Sequence, residues 1–197
     1  MCRFVESIKL KDGVFFRLKY HQERVNKTFE NYFPDEDPIK IFDSLNQVVL
    51  PGEGVFKLRL VYDTDVLSLD FSPYVRREIK SLKLVETAIE SSPYKFEDRN
   101  AYNSAFENRE KCDDVLLVRN ELLTDTSYCN IALYDGEKWI TPKEPLIYGT
   151  NRAELMANEL IVEGDIKVED LQKFKKICLF NAMIEFEELV LDIRSII

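Results

Sequence analysis

The chain has 197 residues, 45% hydrophobic and 32% charged, which is enough for one large or two small packed domains and unlike a disordered or repetitive chain. Its 36 acidic against 27 basic residues give a net charge of -9, which disfavours general binding to nucleic-acid backbones. No apolar run reaches the ~20 residues of a membrane-spanning helix, and the start, MCRFVESIKLKDG, lacks the apolar stretch of a signal peptide. A cytoplasmic protein that binds neither membrane nor nucleic acid is expected.

Phe4, Glu6, Ile8 and Leu10 alternate, and Asp12-Gly13 leads into Val14, Phe15 and Phe16, which predicts a β-hairpin. Leu18, Val25, Phe29 and Tyr32 then share one helical face, in a helix that ends before Pro34. A second helix is expected over 39–48. Phe56–Tyr62 and Val66–Phe71 read as strands joined by Asp63-Thr64-Asp65, and Ile79–Val85 as a third. Glu90-Ser91-Ser92-Pro93 is the best linker, so the chain divides into 1–90 and 91–197.

The second part opens with a helix near Asn100–Arg109. Strands follow at Val115–Val118, Tyr128–Leu133 and Trp139–Ile140, with a turn at Asp135-Gly136. A helix from Gly149 to about Leu160, a helical turn at Asp170–Phe174 and a buried strand over Lys176–Ala182 complete an α+β pattern. Four scattered cysteines without C-x-x-C spacing and a single histidine, His21, argue against a disulfide framework or a metal site.

Three segments of the second part carry specific information: YKFEDRNAY (Tyr94–Tyr102), TDTSYCNIALYDGEKWITP (Thr124–Pro142) and PLIYGTNRAEL (Pro145–Leu155). With LFNAM (Leu179–Met183), their order and spacing resemble the class IV aminotransferases, the fold-type IV pyridoxal-phosphate enzymes, and within them the 4-amino-4-deoxychorismate lyase-like branch. Earlier, YHQERVNKTF and FVESIKL resemble the family's H-x-x-R-L helix and F-E-T-I strand. The resemblance implies the D-amino-acid aminotransferase-like fold: two α+β subdomains, the first shortened because full-length members carry a further strand upstream, with the cofactor in the cleft. It also implies a homodimer and a small amino-acid-like substrate.

The cofactor implied is pyridoxal 5'-phosphate, and the resemblance distributes the work of holding it. Lys95 falls on the family's K-x-x-D-R segment and becomes the amine that binds the aldehyde, where composition alone reads a solvated lysine. Asp125 faces the ring nitrogen; its plain alternative is a turn-capping aspartate. Asn130 fixes that motif or serves as a strand-edge amide. Gly149, Thr150 and Asn151 open the last long helix and offer backbone amides to the phosphate, a role compatible with N-capping by Thr150. Arg24 contacts the phosphate or lies on the helix surface near Glu23 and Glu30, with His21 behind it as a supporting residue. Tyr94 and Tyr128 stand next to these motifs. The substrate carboxylate could be held by Arg76, Arg77, Arg99, Arg109 or Arg119. The implied activity is release of pyruvate from aminodeoxychorismate; an amino-acid aminotransferase and a non-catalytic relative acting as a binding subunit remain open.

Overall fold

The computed structural model describes residues 2–197 and divides the chain into two units. The first runs to Val75 and takes back Pro93–Asp98; the second comprises Arg76–Ser92 and Arg99–Ile197. The boundary expected at 90/91 is thereby moved. The strand expected at Ile79–Val85 forms over Leu82–Glu86 and pairs in parallel inside the second unit's sheet, which draws the preceding loop with it.

The first unit is a four-stranded antiparallel sheet backed by a helix. Strands β1 (Phe4–Lys11) and β2 (Val14–Phe15) form the expected hairpin, and helix α1 (Leu18–Tyr32) follows. Helix α2 is only Ile41–Leu45, shorter than expected, and strands β3 (Val55–Tyr62) and β4 (Val66–Pro73) complete the sheet in the order β2-β1-β3-β4. Asp12 and Gly13 both have positive φ, 49° and 81°, the hairpin conformation that an Asp-Gly pair favours. The register sets Phe4 opposite Tyr62, Glu6 opposite Leu60 and Ile8 opposite Leu58. These side chains share a face, since strand residues two apart point the same way. On α1 the buried positions are His21, Arg24, Val25, Thr28 and Phe29, a three-four spacing. Phe4, Ile8, Val25, Phe29, Ile41, Leu45, Leu58, Leu60 and Tyr62 form the core between sheet and helices. The returning segment runs along β1: Val5 N donates to Lys95 O and Glu97 N to Arg3 O, both at 2.9 Å.

The second unit has an eight-stranded sheet. Its elements are β5 (Leu82–Glu86), α3 (Asn100–Glu107), β6 (Asp114–Arg119), β7 (Leu122–Thr126), β8 (Asn130–Tyr134), β9 (Trp139–Pro142), α4 (Thr150–Ala157), β10 (Val162–Gly164), β11 (Lys176–Phe180) and β12 (Val190–Asp192), with a 3-10 turn at Val168–Lys173. The main path is β10-β9-β8-β7-β6-β5, and β11 pairs with β8 and β12. Strand β7 was not expected. It is joined to β6 by Asn120 and Glu121, both at positive φ (51° and 66°), a two-residue turn without the glycine that signals one. Val115 and Leu117 of β6 pack with Ala105 of α3 and Leu146; Ala132, Cys178 and Phe180 pack with Leu155 of α4 and Ile161. Among the described residues, no helix is long and apolar enough to cross a membrane.

Candidate active site

Strand periodicity puts Glu6 on the core face of β1 between Phe4 and Ile8, fully buried. An ionised carboxylate there is stable only with partners, and α1 supplies two from positions three apart. Arg24 Nε donates to Glu6 Oε1 at 2.8 Å and Nη2 to Oε2 at 2.5 Å; His21 Nδ1 donates to Oε2 at 2.5 Å. Burial raises the Glu6 carboxyl, but the Arg24 charge and the hydrogen bonds from Arg24 and His21 outweigh it and hold it at about 2. Burial pushes the His21 imidazole below its ordinary value against the pull of Glu6, so near pH 7 His21 is a neutral donor. Arg24, expected at a phosphate or on the surface, is buried with two of its nitrogens on Glu6. Glu23 and Glu30 are not its partners. Behind it, Thr28 Oγ1 donates to Arg24 O at 2.9 Å and accepts from Tyr62 Oη at 3.2 Å.

Lys95 lies on the segment that runs along β1. Its Nζ donates to Ser7 Oγ at 2.9 Å, and Ser7, next to Glu6 on a strand, faces away from the core. The flanking aromatics turn the other way: Tyr94 meets Tyr32 edge-on at 5.0 Å, and Phe96 lies 5.0 Å from Phe4. Tyr94 is therefore a packing residue of the first unit.

In the second unit Asp125 sits near the end of β7 opposite Asn130 of β8. Both its oxygens accept hydrogen bonds, Oδ1 from Asn130 Nδ2 at 2.8 Å and Oδ2 from the Ile147 amide at 2.9 Å. Burial raises its carboxyl to about 6; the hydrogen bonds from Asn130, Ile147 and Leu146 and the charge of Arg152 pull the other way without prevailing. Asn130 Nδ2 also donates to Ile147 O at 2.8 Å, tying β8 to the segment before α4. A Cβ on Gly149 would clash with Asn130 Oδ1. Any side chain at 149 must therefore displace the asparagine, although the φ of -70° is ordinary. That is a different reason for glycine from the close approach to a phosphate expected from the motif.

Helix α4 starts at Thr150 with no side-chain cap and no acidic residue in its first turn. The Asn151 side chain is engaged elsewhere: Nδ2 donates to Asn181 O at 2.9 Å and Ile184 O at 3.0 Å, and its Oδ1 is buried without a partner. Asn181, from LFNAM, in turn binds Tyr128 O and the Met183 and Ile184 amides. Asn130, Asn151 and Asn181 thereby stitch β8, α4 and the loop after β11. The structure brings Asp125, Asn130, Gly149, Thr150 and Asn151 together in the second unit, while Lys95, Arg24 and His21 belong to the first. Glu6, Ser7 and Asn181 were missed as site-building residues. The signal for Glu6 was a lone charge on an otherwise apolar strand face, with His21 and Arg24 spaced for one helix face.

Residues 97–188 match the family model for amino-transferase class IV. Over this segment, just under half of its length, the chain is similar to that family. The matched segment contains Asp125, Asn130, Gly149, Thr150 and Asn151, and begins two residues after Lys95. An uncharacterized protein of Haemophilus influenzae is 28% identical over 181 residues, 90% of this chain and 96% of its own. A crystal structure from Haemophilus somnus, provisionally named a 4-amino-4-deoxychorismate lyase, is 29% identical with a TM-score of 0.84, covering 93% of this chain and 97% of that one. A Mycobacterium tuberculosis protein described as a hypothetical aminotransferase, solved in its PLP-bound form, shares the fold at 15% identity, with a TM-score of 0.78 over 99% of this chain and 81% of that one. The chain thus shares the mixed α+β fold of fold-type IV enzymes, and neighbours of that fold include a pyridoxal-phosphate-bound structure.

Proposed function

We propose that the protein is a pyridoxal-phosphate-dependent lyase that releases pyruvate from 4-amino-4-deoxychorismate and leaves 4-aminobenzoate. The observation that carries this reading is the Asp125 carboxylate, buried, clamped by Asn130 and the Ile147 amide, and poised at about 6 within the segment that matches the family. Likeness to the Haemophilus somnus protein supports the choice of reaction. The family resemblance also supports a homodimer in the cytoplasm.

The donor set suits the cofactor. A buried carboxylate that is mainly ionised near neutral pH is a natural neighbour for a pyridine nitrogen, which gains a proton that the anion stabilises. The uncapped, acid-free start of α4 favours a dianionic tail. When bound, pyridoxal phosphate supplies an aldehyde that condenses with amines and a ring that draws electrons from the substrate.

The chain's residues do the rest. Lys95 Nζ is the amine for the aldehyde and the base that moves the proton at the substrate Cα. Ser7 Oγ, accepting from Nζ, sets the direction of the amine. Asp125 holds a proton at the ring nitrogen, and Asn130 keeps the carboxylate from turning. Arg24, oriented by the Glu6 fork, is the arginine that the motif assigns to the phosphate, while Thr150 and Asn151 bind it through backbone amides.

The test is to load purified protein with pyridoxal phosphate, supply aminodeoxychorismate, and follow 4-aminobenzoate fluorescence and pyruvate. Lys95→Ala should abolish the cofactor's visible band and lower turnover by ~10²-fold or more. Keto-acid-dependent transamination without 4-aminobenzoate refutes the lyase reading. A protein that stays colourless with added cofactor refutes an enzyme altogether.

A further inference from the structure

The chain carries net charge -9, yet three guanidinium groups of the second unit, Arg77, Arg99 and Arg109, make no salt bridge among the described residues. The other two arginines that the sequence left open are paired: Arg119 with Glu90 at 3.2 Å and Glu144 at 2.9 Å, and Arg76 with Glu188 at 3.4 Å. The three unpaired groups gather on aromatic rings around α3 and the loop between β7 and β8. Arg99 lies 3.7 Å over the Tyr102 ring; Arg77 lies 4.9 Å from Phe106 and 5.3 Å from Tyr128; Arg109 lies 4.0 Å from Phe106. Their hydrogen bonds go to backbone carbonyls, Arg99 to Ser127 O at 2.7 Å, Arg77 to Asp113 O at 3.0 Å and Arg109 to Phe106 O at 3.1 Å. A carbonyl orients a guanidinium but does not cancel its charge.

The three are not equivalent. Arg109 closes the end of its own helix α3. Arg77 is exposed. Arg99 is half-buried, and its carbonyl partner, Ser127, lies two residues beyond Asp125. Burial lowers its pKa, while the charges of Tyr102 and Asp125 raise it. Burial raises the Asp114 carboxyl, against hydrogen bonds from Ser127 and the Val115 amide and the charge of Arg77.

We propose that Arg99, with Arg77 as an outer partner, binds a carboxylate of a ring-bearing substrate, and that the faces of Tyr102, Phe106 and Tyr128 receive the ring. A guanidinium fork matches a carboxylate in two parallel hydrogen bonds, and aromatic faces favour a flat or cyclic body over an extended aliphatic one. This assignment rests on the lyase reading for its substrate, but not for its chemistry.

The experiment measures binding of 4-aminobenzoate and of its neutral analogue 4-aminobenzamide to the protein, cofactor-free and loaded, by fluorescence titration. Wild type should prefer the carboxylate by about tenfold or more. Arg99→Gln should erase the preference, Arg99→Lys should keep part of it, and Arg119→Gln should leave it intact. In turnover, Arg99→Gln should raise KM by about tenfold with kcat within about threefold, and leave cofactor affinity and the visible band unchanged. The proposal is overturned if the preference survives in a folded Arg99→Gln protein, or if cofactor affinity falls as far as substrate affinity. A silent lyase assay with an Arg99-dependent preference refutes the reaction and supports this site; lyase turnover with unchanged KM in Arg99→Gln does the reverse.

Discussion

Glu6 and Asp125 are both buried carboxylates, 0% and 4% exposed, yet one titrates at about 2 and the other at about 6. Burial raises both. The difference lies in the partners. Glu6 receives a charged fork from Arg24 and a neutral N–H from His21 at 2.5–2.8 Å. Asp125 receives hydrogen bonds from neutral amides, and Arg152 acts only through its charge. At short range a charge outweighs desolvation where neutral dipoles do not. Glu6 is consequently a fixed anion whose positive partner is already present. Among the described residues, Asp125 has only neutral donors on its oxygens; under the proposed function the positive partner is the protonated ring nitrogen.

Removing the Glu6 charge should have the larger effect. In Glu6→Gln, Arg24 remains buried and uncompensated, and breaking such a pair costs ~3–5 kcal/mol. Urea midpoints at pH 7 measure this directly. The sign with pH follows from the depressed folded value. The stabilisation is complete above the ordinary glutamate value of 4.5 and fades as pH falls from there towards 2. Wild type and Glu6→Gln should therefore converge in acid. Equal midpoints at pH 7 would mean that the apolar core, not the ion pair, holds α1 to β1. A double change, Glu6→Leu with Arg24→Met, should recover much of the loss, because apolar residues of similar volume often replace a buried pair well.

Asp125 should behave in the opposite sense. Its folded value lies above the ordinary 3.8, so the native state binds the proton more tightly than the unfolded chain does between 3.8 and about 6. Relative to Asp125→Asn, wild type should lose stability as pH rises through that window, on the order of 3 kcal/mol in all, and stay level above it. Denaturation of the cofactor-free protein at pH 4 and pH 7 gives the answer. A stability difference that grows in favour of wild type with rising pH would place Asp125 among the ordinary paired acids, like Glu6.

The two carboxylates were not equally legible in the sequence. Asp125 announced itself because TDTSYCNIALYDG keeps the acid, the asparagine and the turn within one hairpin, where local spacing nearly determines geometry. The hairpin at Asp12-Gly13 and the helix over Leu18–Tyr32 were readable for the same reason: turn chemistry and period are local. Glu6 depends on α1 packing across β1, a contact between residues 15 and 18 positions apart, and only its place among Phe4, Ile8 and Leu10 hinted at it. Strand β7 escaped because Asn120-Glu121 make a tight turn without glycine. The boundary near residue 90 escaped because β5 joins its sheet by a parallel pairing, which leaves no turn signal in the chain. For Gly149 and Asn151 the motif names the residues but not the neighbours they touch, Asn130 for the one and Asn181 and Ile184 for the other.

The smallest expected effect tests that last point. Gly149 has a φ and ψ that any residue adopts, so Gly149→Ala carries no backbone strain; its cost comes from the methyl group meeting Asn130 Oδ1. Displacing that side chain should cost ~1–3 kcal/mol, since overpacking and a loosened buried hydrogen bond act together. The asparagine also donates to Asp125, so its displacement should push the Asp125 carboxyl further above 6 and widen its distance from Glu6. A double-mutant cycle with Asn130→Ala separates the causes. If the methyl acts through Asn130, the Gly149→Ala penalty should vanish once the side chain is gone, although Asn130→Ala is itself destabilising. Additive costs would mean that glycine is needed at 149 for some other contact, and that the neutral donors around Asp125 do not depend on it.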